Sequence, residues 1–322
     1  MLTLDPALVD LAAAQQGAFS SRQASHFGVS RIDLHRLVAR GDLIHVRRGA
    51  FLLAGALEGL TAEAGYAVRT RAVLLSRPQQ SWASHHAALA VSGLPLVGLD
   101  LNRFDVCADV RRESRSGSVT THALPTGEPC LLVNGVPCVS TETALLQTAV
   151  RHGVRSAVVA ADAALHRGLV GDDTLAEAAA RLDLGVRSAA RVGRLRALVD
   201  PASESPGESL TRLLLGGLGL GFRSQVDIRD DKGFVGRVDF LVEGRIILEF
   251  DGLVKYDGAQ GREALAAEKR REDRLRAAGY EVVRLTWADL DRPEKLARRL
   301  REARARARAR RSGPSNLRPT FS

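Results

Sequence analysis

The sequence has few cysteines and few aromatic residues, and it lacks long apolar runs. Its three cysteines, Cys107, Cys130 and Cys138, form no CxxC pair, which argues against a zinc knuckle or a disulfide framework. Aromatic residues make up 4% of the 322 residues, so the cores must be built from Leu, Val and Ala. No apolar run approaches the roughly 20 residues that cross a bilayer, and the N-terminus lacks signal-peptide features. We therefore expect a soluble, cytoplasmic protein with no membrane partner.

The charge balance is basic. Lys and Arg number 46 against 37 Asp and Glu, and the net charge of +9 favours an acidic partner, most commonly nucleic acid. Eight arginines and one glutamate fall within residues 298–311, so one segment supplies most of the excess. Its alternating Ala and Arg suit neither a core nor a clean amphipathic helix. We expect a basic flexible tail over 298–322, which either contacts phosphates or only solubilises the chain.

Residues 1–55 predict a small domain in the order helix, short helix, turn, helix and β-hairpin. Pro6, Ser20 and Ser30 each suit the start of a helix, and Gly41 suits the end of the third one. This is the element order of a winged helix-turn-helix. The alternative to DNA binding is a small helical domain that docks a protein or merely joins other domains.

In that architecture the third helix enters the major groove of double-stranded DNA and the basic hairpin touches phosphates. We expect the apolar stripe of this helix to begin at Ile32 and to face the core. The residues expected to contact DNA lie at the start of the helix, on its free sides and at the hairpin tip: Ser30, Arg31, His35, Arg36, Arg47 and Arg48.

Residues 60–195 predict a mostly helical middle domain with a small β region. A helix is expected from Ser81 through Val91, and the adjacent His85 and His86 would then point to different sides of it. We therefore expect them to be structural rather than joint ligands of one metal ion. No catalytic constellation is evident here, and the region is interpreted as a scaffold or a sensing module.

Residues 204–290 predict an α/β domain in the order αβββαβ. A stretch rich in Pro, Ser, Gly and acidic residues, ending at Ser209, marks the boundary before it, and its first helix should begin near Pro206. The whole chain is therefore expected to be a multidomain α/β protein.

Three carboxylates in this last domain are expected to converge. Asp239 lies within one apolar strand, and Glu249 and Asp251 end the next, where residues two apart project to one side. Such crowding is unfavourable without a cation, and Mg²⁺ or Mn²⁺ prefers oxygen ligands. A metal bound there would polarise a phosphate and activate water. Glu208 is a candidate fourth acid, and Lys255 a candidate for stabilising the charge that builds on the phosphate.

The alternative is that these acids only end strands and pair with nearby basic residues. Candidates for such pairing are Arg237, Arg245, Lys269 and Arg270.

Glu208, the segment RVDF, the segment ILEFDG and the segment REDRLRAAGYEVVRLTW together resemble the PD-(D/E)XK nucleases, most closely the very short patch repair endonuclease branch. The resemblance implies a restriction-endonuclease-like fold in which Asp239 binds the metal, Glu249 is the (D/E) of the motif and Glu208 is the acid of the first helix. Asp251 stands where the motif has its lysine, and Lys255 stands near the place of a histidine in the related branch. Either the lysine has moved or cleavage has been lost.

The segment RQASHFGVSRIDLHRLVARGDLIHVRRGAFLL resembles the winged-helix domain of AbiEi-like antitoxins, and VPCVSTETALLQTA is similar to the domain that follows it there. The resemblance implies operator binding, transcriptional repression and a cognate toxin or defence-system protein as partner. Two functions follow. The first is a DNA-binding, metal-dependent endonuclease or nickase in phage defence or DNA repair. The alternative is an AbiEi-like regulator or antitoxin with an inactive nuclease fold.

Overall fold

The computed structural model describes residues 4–252 and 259–311. The chain forms two compact units, Met1–Val199 and Asp200–Ser322, and each combines helices with β-sheets. The first unit holds both regions that were predicted as separate domains, 1–55 and 60–195. Within the described ranges, none of the helices combines the length and the apolar character that crossing a membrane requires.

The first unit opens with three helices and a small antiparallel sheet. Ser20 and Ser30 both cap helices, as predicted, and each forms a reciprocal capping box with the residue three positions on. The sheet has the order β1-β3-β2. Its elements are, in chain order, α1 (Pro6–Ala14), β1 (Ala18–Ser20), α2 (Ser21–His26), α3 (Arg31–Ala39), β2 (Leu43–Arg47) and β3 (Ala50–Leu53).

The core of these elements is apolar and continuous. Phe19 and Phe51 stack with ring centroids 5.8 Å apart, and Leu34 and Leu37 of α3 pack into the same cluster. Ile32 does not join them and is 64% exposed, contrary to our expectation. Residues two apart on an α-helix lie about 200° apart around its axis, so Ile32 and Leu34 face opposite sides.

The rest of the first unit packs helices against a six-stranded mixed sheet of order β6-β7-β5-β4-β9-β8. The sheet is larger than the small β region expected, and the predicted helix from Ser81 instead starts with a short strand. The elements are α4 (Ala62–Leu75), β4 (Trp82–Ala83), α5 (His85–Val91), β5 (Phe104–Ala108), β6 (Ser114–Ser116), β7 (Val119–Ala123), β8 (Cys130–Val133), β9 (Val136–Val139), α6 (Thr141–Arg151), α7 (Val154–His166), α8 (Asp172–Arg181) and α9 (Val186–Leu198).

The second unit contains the expected αβββαβ order followed by two further helices. Its sheet has the order β10-β11-β12-β13, in which only β12 and β13 are parallel, so α11 forms the crossover between them. The elements are α10 (Pro206–Gly217), β10 (Phe222–Asp230), β11 (Gly233–Val242), β12 (Ile246–Phe250), α11 (Ala259–Ala277), β13 (Glu281–Leu285), α12 (Trp287–Leu290) and α13 (Pro293–Arg311).

Helix α13 corrects the prediction of a flexible tail for residues 298–311. Leu296, Leu300, Ala303 and Ala307 recur at helical spacing and are buried. The alternation of Ala and Arg makes this stripe difficult to recognise in the sequence. Every second residue is Ala, but only Ala303 and Ala307 are buried, whereas Ala305 is exposed. Arginines of the helix form ion pairs with Glu243, Glu281 and Asp289. Residues 312–322 lie outside the described part of the chain.

Candidate functional site

Helix α3 has one face on the core and one face in solvent. The Ser30 hydroxyl accepts a hydrogen bond from the backbone N–H of Asp33 at 3.2 Å, and the Asp33 carboxylate accepts one from the N–H of Ser30 at 3.1 Å. Leu34 and Leu37 are each 2% exposed and hold the helix on the core. The opposite side presents exposed side chains to solvent: Arg31, Ile32, His35 and Arg36.

The polar groups at the start of α3 are engaged within the helix itself. The Ser30 hydroxyl donates to Asp33 at 2.6 Å, and these hydrogen bonds from Ser30 lower the pKa of the Asp33 carboxyl. A guanidinium nitrogen of Arg36 lies 3.8 Å from the same carboxylate. Ser30 therefore stabilises the start of the helix, and the exposed cationic side chains of this face are those of Arg31 and Arg36.

The β2–β3 hairpin places its two arginines differently. Arg48 and Gly49 form the turn, and the positive φ of +79° at Gly49 suits glycine. Arg48 is exposed, whereas Arg47 is half-buried, and burial lowers the pKa of its guanidinium. The Gly49 carbonyl accepts a hydrogen bond from the N–H of Ser21 at 2.9 Å, which fixes the hairpin tip against the start of α2.

In the second unit, Asp239 and Glu249 lie on the neighbouring strands β11 and β12. The backbone N–H of Phe250 donates to the Asp239 carboxylate at 2.8 Å. The pKa of Asp239 is raised from 3.8 to about 6, mainly by burial and in smaller part by the negative charges of Glu208 and Glu249. Glu208 and Glu249 are thus close enough to Asp239 for their charges to affect its ionisation.

Glu208 is held at the start of α10. Its carboxylate accepts hydrogen bonds from the Ser205 hydroxyl and the Gln225 side-chain amide, both at 2.7 Å, and from the N–H of Glu204 at 3.0 Å. It is 8% exposed. The helix is positioned by Gly207, where a Cβ atom would lie 2.1 Å from two ring carbons of Phe250.

An arginine that the sequence analysis missed neutralises part of this cluster. Arg271 donates to Glu249 at 2.7 Å, to Glu268 at 3.1 Å and to the Arg237 carbonyl at 2.9 Å. Gly236 leaves room for it, since a Cβ there would lie 2.6 Å from Nε of Arg271. Ion pairing of the acids was the alternative considered from sequence, but with other basic residues. Helical spacing of Glu268 and Arg271 was the available signal.

The set of Asp239, Glu249 and Asp251 does not converge as predicted. Among the described residues, groups of three potential metal-ligating atoms within 4.8 Å of one another occur only in the first unit. Strand β12 ends at Phe250, so its period-2 alternation does not extend to Asp251, whose N–H donates to the Leu285 carbonyl at 2.7 Å. Lys255 lies outside the described residues.

Sequence reasoning also missed a polar cluster in the first unit, where four histidines surround Asp105. Two of them are His85 and His86, which were expected to be structural. The other two, His122 and His152, are distant in sequence, so no spacing rule connects the set. The available signal was an aspartate inside the apolar strand FDVCA, where a buried charge needs partners.

A family model described as "Transcriptional regulator, AbiEi antitoxin" matches residues 6–54. The matched segment runs from the first residue of α1 to just past the end of β3. The comparison with curated proteins returned no match.

Proposed function

We propose that the chain is a DNA-binding transcriptional regulator of the antitoxin kind, with residues 6–54 forming a winged helix-turn-helix. The observation that carries this proposal is the family match over those residues. The element order α1, β1, α2, α3, β2, β3 and the sheet order β1-β3-β2 support it, because they suit a recognition helix followed by a wing.

In this proposal α3 lies in the major groove. Arg31 and Arg36 supply cations that bind phosphates or guanine edges, and His35 offers a ring N–H to a base. This placement also accounts for the exposure of Ile32, because an apolar side chain that is 64% exposed can contact a thymine methyl group. Ser30 contributes by capping the helix and not by reading bases.

The hairpin contributes mainly through Arg48. Its exposed side chain can reach a phosphate. Arg47 is half-buried within the hairpin and is less available to DNA. Because six arginines stand against three aspartates in residues 6–54, the domain as a whole is attractive to DNA. On the family description we also propose a cognate toxin as a protein partner.

Sequence preference tests the role of α3. The full chain is used to select bound duplexes from a randomised pool, alongside Ile32→Ala, His35→Ala and the exposed control Arg187→Ala. The wild type and the control should enrich the same motif, and the two α3 variants should lose preference at one or two positions. An unchanged motif in both α3 variants would remove this helix face from base recognition.

A second candidate function is metal-dependent hydrolysis of DNA by the second unit, in a PD-(D/E)XK-like fold. Support comes from the αβββαβ order, from the buried acid Glu208 and from the partly buried acids Asp239 and Glu249. Burial is the main cause of the raised pKa of Asp239, and the negative charges of Glu208 and Glu249 add to it, as expected where carboxylates lie close together. Mg²⁺ or Mn²⁺ would supply the missing charge, polarise a phosphate and activate water. In this candidate function Glu208 replaces Asp251 as the third metal-binding acid. Lys255 stays a candidate for stabilising the charge that builds on the phosphate.

Supercoiled plasmid incubated with Mg²⁺ or Mn²⁺ tests this candidate. Metal-dependent nicking should be present in the wild type and lost in Asp239→Ala and Glu249→Ala. Asp227→Ala, an exposed aspartate on the adjacent strand β10, is the matched control and should retain it. Binding without nicking by every form would leave the regulator as the function and the second unit as an inactive relative of the fold.

A further inference from the structure

Asp105 is a carboxylate at 3% exposure, and imidazole rings approach both of its oxygens. Nε2 of His122 lies 2.7 Å from Oδ1. Nε2 of His152 lies 2.9 Å and Nδ1 of His86 lies 3.3 Å from Oδ2. A buried charge on β5 is thus met by side chains from α5, from β7 and from the end of α6, which are brought together only by the fold.

The surroundings of His86 determine which of its ring nitrogens carries the proton. Nε2 lies 3.2 Å from the Arg103 carbonyl, 3.3 Å from the Asp100 carbonyl and 2.9 Å from the Tyr66 hydroxyl. The Tyr66 hydroxyl donates its own proton to the Arg103 carbonyl at 2.6 Å, so it faces His86 as an acceptor. All three neighbours of Nε2 are acceptors, and Nε2 must therefore be the N–H.

In the neutral ring, Nδ1 of His86 then carries a lone pair that faces the carboxylate. This nitrogen is fully buried and makes no hydrogen bond. A lone pair against a buried carboxylate oxygen is repulsive unless a cation lies between them. A ring that donates its other N–H to backbone carbonyls is also the usual arrangement of a metal-binding histidine, since it fixes the tautomer.

We propose that His86 Nδ1, His152 Nε2 and Asp105 Oδ2 bind a divalent transition-metal ion of the Zn²⁺ type. Imidazole nitrogens with one carboxylate suit such ions better than Mg²⁺ or Ca²⁺. Two ligands about 2.0–2.1 Å from zinc at a tetrahedral angle lie about 3.3 Å apart, close to the 3.3 Å and 2.9 Å spacings here. Three protein ligands leave a fourth coordination position, and the His152 side chain is 23% exposed.

Two further histidines lie beside these proposed ligands. His122 holds the other oxygen of Asp105 through Nε2, while its Nδ1 lies 3.1 Å from Glu113. His85, whose ring centroid is 4.2 Å from that of His122, has a left-handed φ of +51° although it is not glycine. Strain of this kind is retained where a side chain must be held in one place.

Metal content and zinc binding test the proposal on the full chain. Purified protein is stripped with chelator, titrated with ZnCl₂ by calorimetry and, in parallel, with CoCl₂ for the visible absorption of a tetrahedral site. The variants are His152→Gln, His86→Gln and Asp105→Asn. The matched controls are His26→Ala, an exposed histidine, and Asp239→Ala, which removes the acid of the second unit.

One Zn²⁺ per chain should bind in the wild type and in both controls, with a tetrahedral Co²⁺ spectrum. The affinity should fall by on the order of 100-fold or more in His152→Gln, which is partly exposed and should fold normally. Absence of zinc binding by the wild type overturns the proposal. Zinc binding that is lost in Asp239→Ala but kept in His152→Gln overturns it as well and assigns the ion to the second unit.

Discussion

A guanidinium nitrogen of Arg271 lies 2.7 Å from the Glu249 carboxylate, one strand away from the partly buried Asp239. The arginine reaches this position from α11 because Gly236 presents no side chain to it. Its positive charge partly offsets three acids that would otherwise repel one another. The protein therefore compensates part of the negative charge of the cluster, and a metal ion would have to compete with or complement this arginine.

Removing Arg271 should destabilise the second unit. Arg271→Ala leaves Glu249 without its charged partner, so the free energy of unfolding should fall by about 1–3 kcal/mol. The exposed neighbour Arg270→Ala should change it by about 0.5 kcal/mol or less. Urea denaturation at pH 7 measures both, and 10 mM Mg²⁺ should restore more stability to Arg271→Ala than to the wild type. Equal stability of the two variants would show that this ion pair contributes nothing.

Gly207→Ala should disturb the contact between α10 and β12. The added Cβ would lie 2.1 Å from the Phe250 ring, and relieving the overlap should cost about 1–3 kcal/mol. Gly216→Ala on the same helix meets no atom within 4 Å and should be neutral or stabilising by up to about 1 kcal/mol. Thermal melting of the two variants compares them, and a Gly207→Ala protein as stable as Gly216→Ala would contradict the packing.

The raised pKa of Asp239 predicts a pH-dependent effect of Asp239→Asn. The folded state holds this proton up to about pH 6, whereas the ordinary value is 3.8, so ionisation destabilises the fold as pH rises from 4 to 6. The shift corresponds to about 2–3 kcal/mol. Asp239→Asn should match the wild type near pH 4 and exceed its unfolding free energy by about that amount at pH 8. Urea denaturation across this range measures the difference, and a difference that does not vary with pH would refute the shift.

Helix α13 offers a direct contrast between two alanines. Ala303 is fully buried, and Ala303→Leu should cost about 1–3 kcal/mol because the added methyl groups have no space. Ala305→Leu, two residues on and exposed, should change stability by about 0.5 kcal/mol or less. Chemical denaturation of both variants tests the packing. Identical stabilities would contradict the packing of this helix and would support the flexible arm predicted from sequence for residues 298–311.

Local signals predicted helix starts well. Ser20, Ser30 and Pro206 begin helices where expected, because a cap involves only residues within one turn. The same short range explains the errors. Ile32 was assigned to the core by its apolar character alone, although its position around the helix axis places it in solvent.

The sites were harder to predict because they depend on contacts between distant residues. Glu208 and Asp239 could be named as candidates from sequence, because one acid lies on the first helix of the domain and the other lies within an apolar strand. The pairing of Glu249 with Arg271 was not, because it requires the register of α11 against β12. The cluster around Asp105 depends on four elements and has no sequence spacing of its own.

The salt dependence of DNA binding tests the central proposal most directly. The affinity of the full chain for a duplex is measured by fluorescence anisotropy at KCl concentrations from about 50 to 300 mM. Over this range each phosphate contact steepens the fall of affinity with salt. Replacing Arg31, Arg36 and Arg48 together by Ala should weaken binding and reduce the slope of log affinity against log salt by about 2–3. Arg187→Ala should leave that slope unchanged. Absence of duplex binding by the wild type, or the same slope in the triple variant, would contradict a DNA-binding function for residues 6–54.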